Sequence, residues 1–182
     1  MDTEAQSLGA AEAAGSGDAP DDGSPSCSIA RALDVIGDRW TILILRDTFR
    51  GIRRFSEIHR DLGIPKAVLT ERLGRLVETG VLERRRYQDR PPRDEYRLTD
   101  MGRELSPVLV GLMRWGDRWL AEHGPPTVLV HEPCGTEVEL GFHCRCCGQD
   151  FGPTEIVGMP GPGARPGTGG VPGRRTPLRS TV

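Results

Sequence analysis

Residues 55–80 read FSEIHRDLGIPKAVLTERLGRLVETG. The stretch divides at Asp61 to Pro65, where Gly63 supplies the backbone freedom of a tight turn and Pro65 suits the first turn of a helix. Ahead of the turn, a short helix capped by Ser56 points Ile58 and Leu62 inward, with Phe55 placed to staple it. Behind the turn, Leu69, Leu73 and Leu76 recur at i, i+4 and i+7 and predict a helix that stops at Thr79-Gly80. Stepping ~100° per residue from Leu69 places the other two leucines within ~40° of it. The opposite face then carries Ala67, Thr70, Glu71 and Gly74, with Lys66 and Arg75 on its edges.

Working outward, Ile29, Leu33 and Ile36 predict a first helix that Gly37 interrupts. Asp38 is placed to cap the next, whose run Trp40, Ile42, Leu43, Ile44 and Leu45 predicts burial on most sides, with an end near Arg50-Gly51. Downstream, Val81 to Tyr87 and Glu95 to Leu98 read as an extended pair around a tip, Gln88 to Arg93, that contains Pro91-Pro92. Thr99 then caps a long helix to about Glu122, with Leu105, Val108, Leu109, Leu112, Trp115 and Trp119 as its apolar residues. The order predicts a mainly α fold with a small β-hairpin, a winged helix-turn-helix.

Composition divides the chain further. Residues 1–26 hold six acids and no base and lack apolar content, so they read as a disordered acidic tail. Residues 152–182 are dense in Gly and Pro and read the same way. Between them lie the winged helix-turn-helix domain, 27–124, and an appendage, 125–151. The net charge of −2 hides a basic middle, where residues 27–103 carry 17 Lys and Arg against 12 Asp and Glu. Such a segment can meet phosphates. No apolar run reaches membrane-spanning length and no secretory signal is evident, so the expectation is a soluble, cytoplasmic protein.

Small and polar residues on the outer face of the second helix of a helix-turn-helix suit entry into the major groove of duplex DNA. Thr70 can contact a base or phosphate, Lys66 a phosphate, and Glu71 can accept from a cytosine amino group. On the hairpin, alternation prevents Arg84, Arg85 and Arg86 from all facing one way, which makes Arg90 and Arg93 at the tip the better candidates for the backbone or minor groove. The plain alternative is a solvated arginine face. The rival from another class is a protein-interaction module without DNA affinity.

The stretch from Cys27 to about Trp119 resembles the HxlR-type family of winged-helix regulators. The resemblance is carried by Cys27, Ala32 to Gly37, Trp40 to Arg46, Arg54 to Ile58, Leu69 to Leu73, and Gly80 to Arg84. It continues through Tyr87, Pro91 to Arg93, Glu95 to Thr99 and Gly102. It implies a homodimer that binds an inverted repeat and controls nearby genes, with a small molecule or an oxidant as effector. Pro65 departs from the pattern, since such proteins often carry Ser there, and this removes a phosphate-binding hydroxyl. The extension beyond the long helix is a second departure. A domain this small does not easily bury Trp115 and Trp119, so residues 28–37 and 103–122 are expected to pair across a two-fold axis; the alternative places both Trp in the monomer core. Cys27 precedes the first helix, where thiolate character rises, and the resemblance implies a sensor of oxidants or electrophiles at this position; the alternative is an inert small residue.

Five cysteines, an odd number, argue against a disulfide framework. His131-x2-Cys134 and Cys144-x2-Cys147 make two two-ligand knuckles for a structural zinc ion, each followed by Gly (Gly135, Gly148), with Val138 and Leu140 as a strand between. His143 and Cys146 compete as ligands, and a cluster of reduced thiols is the alternative. No enzyme is expected. Neither a phosphate loop, a nucleophile elbow nor a paired-acid motif is present, and a zinc deaminase would need a His-x-Glu partner that the chain lacks.

Overall fold

The computed structural model describes residues 27–159, 161 and 162; the expected acidic tail and most of the Gly/Pro-rich tail lie outside the described residues. Four helices come first, α1 (Ser28–Ile36), α2 (Arg39–Phe49), α3 (Phe55–Leu62) and α4 (Lys66–Glu78). A hairpin of β1 (Leu82–Asp89) and β2 (Pro92–Leu98) follows, then α5 (Asp100–Arg103) and α6 (Ser106–Leu120). The appendage holds β3 (Phe142–His143) and β4 (Asp150–Phe151), and a 3-10 turn, Pro153–Glu155, follows in the first described residues of the Gly/Pro-rich segment.

Two of the expected caps and the expected turn form where the chemistry asked for them. Asp38 accepts the Thr41 N–H at 3.0 Å and starts α2. Gly63 ends α3 at φ 61°, a conformation that costs Gly nothing. Thr99 accepts the Gly102 N–H at 3.1 Å and starts α5. The buried apolar side chains run from Ile36 to Leu82: Ile44 and Leu45 of α2, Ile58 of α3, Ile64 of the turn, Leu69, Leu73 and Leu76 of α4, then Val81. Each contributes about 1.5–3 kcal/mol by leaving water. The hairpin is tied to this body because the Tyr96 N–H donates to the Arg53 carbonyl at 2.8 Å and Arg54 bridges Glu95. The result is a helix-turn-helix with a wing, as the element order predicted.

Three local readings change. Ser56 does not cap α3: the cap is Arg54, two residues earlier, and Glu57 accepts the Arg54 N–H at 3.4 Å. The long helix is interrupted at Glu104-Leu105, because Pro107 has no N–H to donate to the Arg103 carbonyl. The hairpin strands extend further than expected, so the tip is Arg90-Pro91 alone and Arg93 lies on β2 opposite Gln88.

Candidate nucleic-acid interface

Burying Leu69, Leu73 and Leu76 fixes the rotation of α4, so the residues on its other side must face solvent. Lys66, Ala67, Thr70 and Glu71 are all exposed. Thr70 donates its hydroxyl proton to the Lys66 carbonyl at 2.8 Å, which leaves its oxygen free to accept. Glu71 holds Arg72 at 2.6 Å. Arg75 stands apart from this group: its guanidinium donates to the Asp34 carbonyl of α1 and lines a cavity of about 120 Å³ with Leu33, Asp38, Thr41 and Arg72.

On the wing, Arg84 and Arg86 share one face and both pair with Asp94. Alternation sends Arg85 to the other face, opposite Glu95. Arg90 and Arg93 are exposed, and among the described residues neither makes an ion pair. Lys66, Arg90 and Arg93 are therefore cations available to an outside anion, whereas Arg84 and Arg86 are already partly neutralised. Arg54 packs over the Tyr87 ring at 4.6 Å and stiffens the root of the wing.

Two charged residues that the periodicity did not single out hold the α4 platform in place. Arg72 reaches Asp38 at 3.1 Å and locks α4 to the start of α2. The hydrogen bond from Arg72 holds the Asp38 carboxyl below the usual carboxylate range, against the opposing effect of burial. Asp47 is 0% exposed. Burial pushes its carboxyl up, against the Arg46 guanidinium at 2.7 Å. Arg46 and Arg50 also reach Asp61, so the network joins α2 to α3. The signal was present in the sequence, because Asp47 falls three residues after Ile44 on the buried face of α2.

α6 turns a different chemistry outward. Leu105 and Leu109 pack against the core, while Val108, Leu112, Trp115 and Trp119 form an exposed stripe. Trp115 is 58% and Trp119 64% exposed, which removes the reading that both sit in the monomer core. Ile29 and Leu33 of α1 are exposed as well. Cys27 is the N-cap residue of α1, a free thiol and partly exposed.

In the appendage, His131 and Cys134 meet at 3.3 Å. Hydrogen bonds from the Thr136 hydroxyl and amide lower the Cys134 thiol, and amides of Cys147 and Cys146 lower that of Cys144. His143 instead contacts Asp150 at 2.9 Å. Among the described residues no three His, Cys, Asp or Glu side chains stand together as a metal group, and the expected strand at Val138 and Leu140 is only a bridge of Val130 to Glu137. Among the described residues no helix is long and apolar enough to cross a membrane.

Comparison with known proteins places this arrangement. The HxlR-like helix-turn-helix family matches residues 35–124. The chain is 45% identical over 137 residues to the uncharacterized HTH-type transcriptional regulator Rv3095 of Mycobacterium tuberculosis, covering 75% of this chain and 87% of that one. That alignment is longer than the 124 residues preceding the appendage, so it includes part of the appendage. To the uncharacterized HTH-type transcriptional regulator YvaP of Bacillus subtilis it is 38% identical over 91 residues, 50% of this chain and 84% of that one. Among solved structures, PA1607, assigned as a transcription factor, is 38% identical with a TM-score of 0.67, covering 74% of this chain and 95% of that one. PA1374 of Pseudomonas aeruginosa, assigned likewise, is also 38% identical, with a TM-score of 0.56, covering 76% of this chain and 95% of that one. The helix-turn-helix, its wing and these matches agree: the chain belongs to the HxlR-like helix-turn-helix family, as a transcriptional regulator and not an enzyme.

Proposed function

We propose that the protein binds duplex DNA as a homodimer, with α4 of each copy in a major groove and the wing on the adjacent backbone. The observation that carries this reading is the division of α4. Its leucines are wholly buried, and its outer face offers only short or polar side chains around Lys66 and Thr70. Ala67 lets the helix approach the bases closely, Glu71 reads an amino group, and Arg90 and Arg93 of the wing take phosphates. Arg75 contributes only if it leaves Asp34.

The second copy is supported by two exposed apolar stretches, the α6 stripe and Ile29 with Leu33 of α1, of a kind that monomers rarely leave in water. Cys27 at the head of α1 lies beside the second stretch in sequence, so its oxidation or alkylation would bear on dimer geometry and DNA release.

Footprinting and fluorescence anisotropy on DNA upstream of the protein's own gene test the reading. Lys66→Ala is expected to weaken binding and lower the salt slope by about one counterion. Wild-type protein with no retention of any upstream fragment in dilute salt overturns it. Trp115→Asp with Trp119→Asp is expected to sediment as a monomer; wild-type protein that is itself monomeric at micromolar concentration overturns the dimer. Oxidant that still releases Cys27→Ser from DNA overturns the switch.

A further inference from the structure

The appendage has defined turns but no core. Val128, Val130, Val138, Leu140 and Phe142 are all exposed, and none of the buried apolar side chains of the described chain comes from it. A unit of this size without a core needs a cross-link, a metal or a partner to hold one shape.

Two of its turns are copies of each other. In the first, the His131 N–H donates to the Thr136 carbonyl at 2.8 Å and the Gly135 N–H returns to the His131 carbonyl at 2.8 Å. In the second, the Cys144 N–H donates to the Gln149 carbonyl at 2.9 Å and the Gly148 N–H returns to the Cys144 carbonyl at 2.9 Å. Gly135 and Gly148 occupy the same place in each and share a left-handed backbone, φ 69° and 67°. Each turn sits on a short antiparallel pair, Val130 with Glu137 in one case and Phe142 with Phe151 in the other. Superimposing the turns matches His131 with Cys144 and Cys134 with Cys147. Position one and position four of each turn therefore carry a nitrogen or sulfur metal ligand.

We propose that these two turns close on one zinc ion, bound by His131, Cys134, Cys144 and Cys147. The repeat settles which ligands belong to the set, a choice the spacing alone left open. Cys146 falls at the third position of its turn, where the first turn has Pro133, and His143 lies outside the turn on β3 against Asp150. The His131 nitrogen and Cys134 sulfur stand 3.3 Å apart. Two ligands of a tetrahedral ion at about 2.1 and 2.3 Å are separated by roughly 3.6 Å, so this half is nearly set for metal. The halves do not yet share one centre. Binding draws them together across the four residues from Val138 to Gly141, and that closure is the folding energy the missing core does not provide. Three thiolates and an imidazole select zinc over hard cations, and a filled tetrahedron leaves no open position for catalysis. Arg114 donates to Glu137 and to the Val138 carbonyl, so the closed unit is fastened to α6.

The test uses the full chain, purified under reducing conditions without chelator, re-supplied with zinc chloride, then desalted. Elemental analysis is expected to find about one zinc per chain. Cys134→Ser, Cys144→Ser and Cys147→Ser are each expected to lose most of it, while Cys146→Ser and Cys27→Ser keep it. Cobalt(II) chloride added to metal-free protein supplies an independent readout, expected to give the visible bands of a tetrahedral thiolate site in wild type and Cys146→Ser but not in Cys144→Ser. Far-UV circular dichroism confirms that each variant retains the helical body. Less than about a tenth of a zinc per chain, no tetrahedral cobalt spectrum, or loss of metal in Cys146→Ser equal to that in Cys144→Ser overturns the assignment.

Discussion

The winged-helix body and the appendage are joined in one chain but are organised on opposite principles. From Ile36 to Leu82 the body encloses apolar side chains contributed by α1, α2, α3, α4 and the start of the wing. The appendage, also furnished with Val, Leu and Phe, buries none of them fully and repeats a tight turn instead. The difference teaches that apolar content does not make a core. A core needs elements long enough to have an inside, such as the 13-residue α4, and two-residue strands have none.

The comparison is most sharply tested by removing one leucine from each region. Leu73→Ala in α4 leaves a cavity in a fully enclosed site and is expected to cost about 2–5 kcal/mol in urea unfolding. Leu140→Ala in the appendage, already exposed, is expected to shift the same transition by less than about 0.5 kcal/mol. Equal losses would show that the appendage shares the core of the body.

Gly102→Ala probes how closely the body is packed. A Cβ there would lie 2.2 Å from the Val81 carbonyl oxygen, so α5 or the root of the wing must move. A loss of about 1–3 kcal/mol is expected in thermal unfolding, and no loss would mean that the contact yields freely.

Asp38→Ala tests the polar tie between α2 and α4 and is expected to cost about 1 kcal/mol at neutral pH through the lost cap. Its half-buried pairing with Arg72 adds a smaller amount. Because the carboxyl is held below its ordinary value when folded, its contribution is present above that value and is lost as pH falls through the depressed one. The gap between wild type and variant should therefore close in acid. A gap unchanged down to about pH 2 would remove the ionised Asp38 from the account.

Legibility followed the same division. The apolar stripe of α4 located its outer face, because one buried side fixes the other: of the residues named there, Lys66, Ala67, Thr70, Glu71 and Arg75 are left in solvent, and Gly74 is half-buried. Periodicity could not say where long side chains reach. Arg75 bends to α1, and Arg72 becomes a strut. Nor did a Pro-Pro tip reveal that the strands run on to Asp89 and Pro92, since ladder pairing across the hairpin overrides local turn preference.

The sequence by itself determined the order of the elements, most of their caps and the inward face of each helix. These depend on neighbours within a few residues, where backbone geometry is the same in any protein. Only the tertiary structure decided which arginines are free and which are consumed, that Trp115 and Trp119 stay outside the monomer core, and that the two cysteine turns are copies. Those outcomes are set by groups far apart in the chain that meet only after folding, and local pattern carries no record of such meetings.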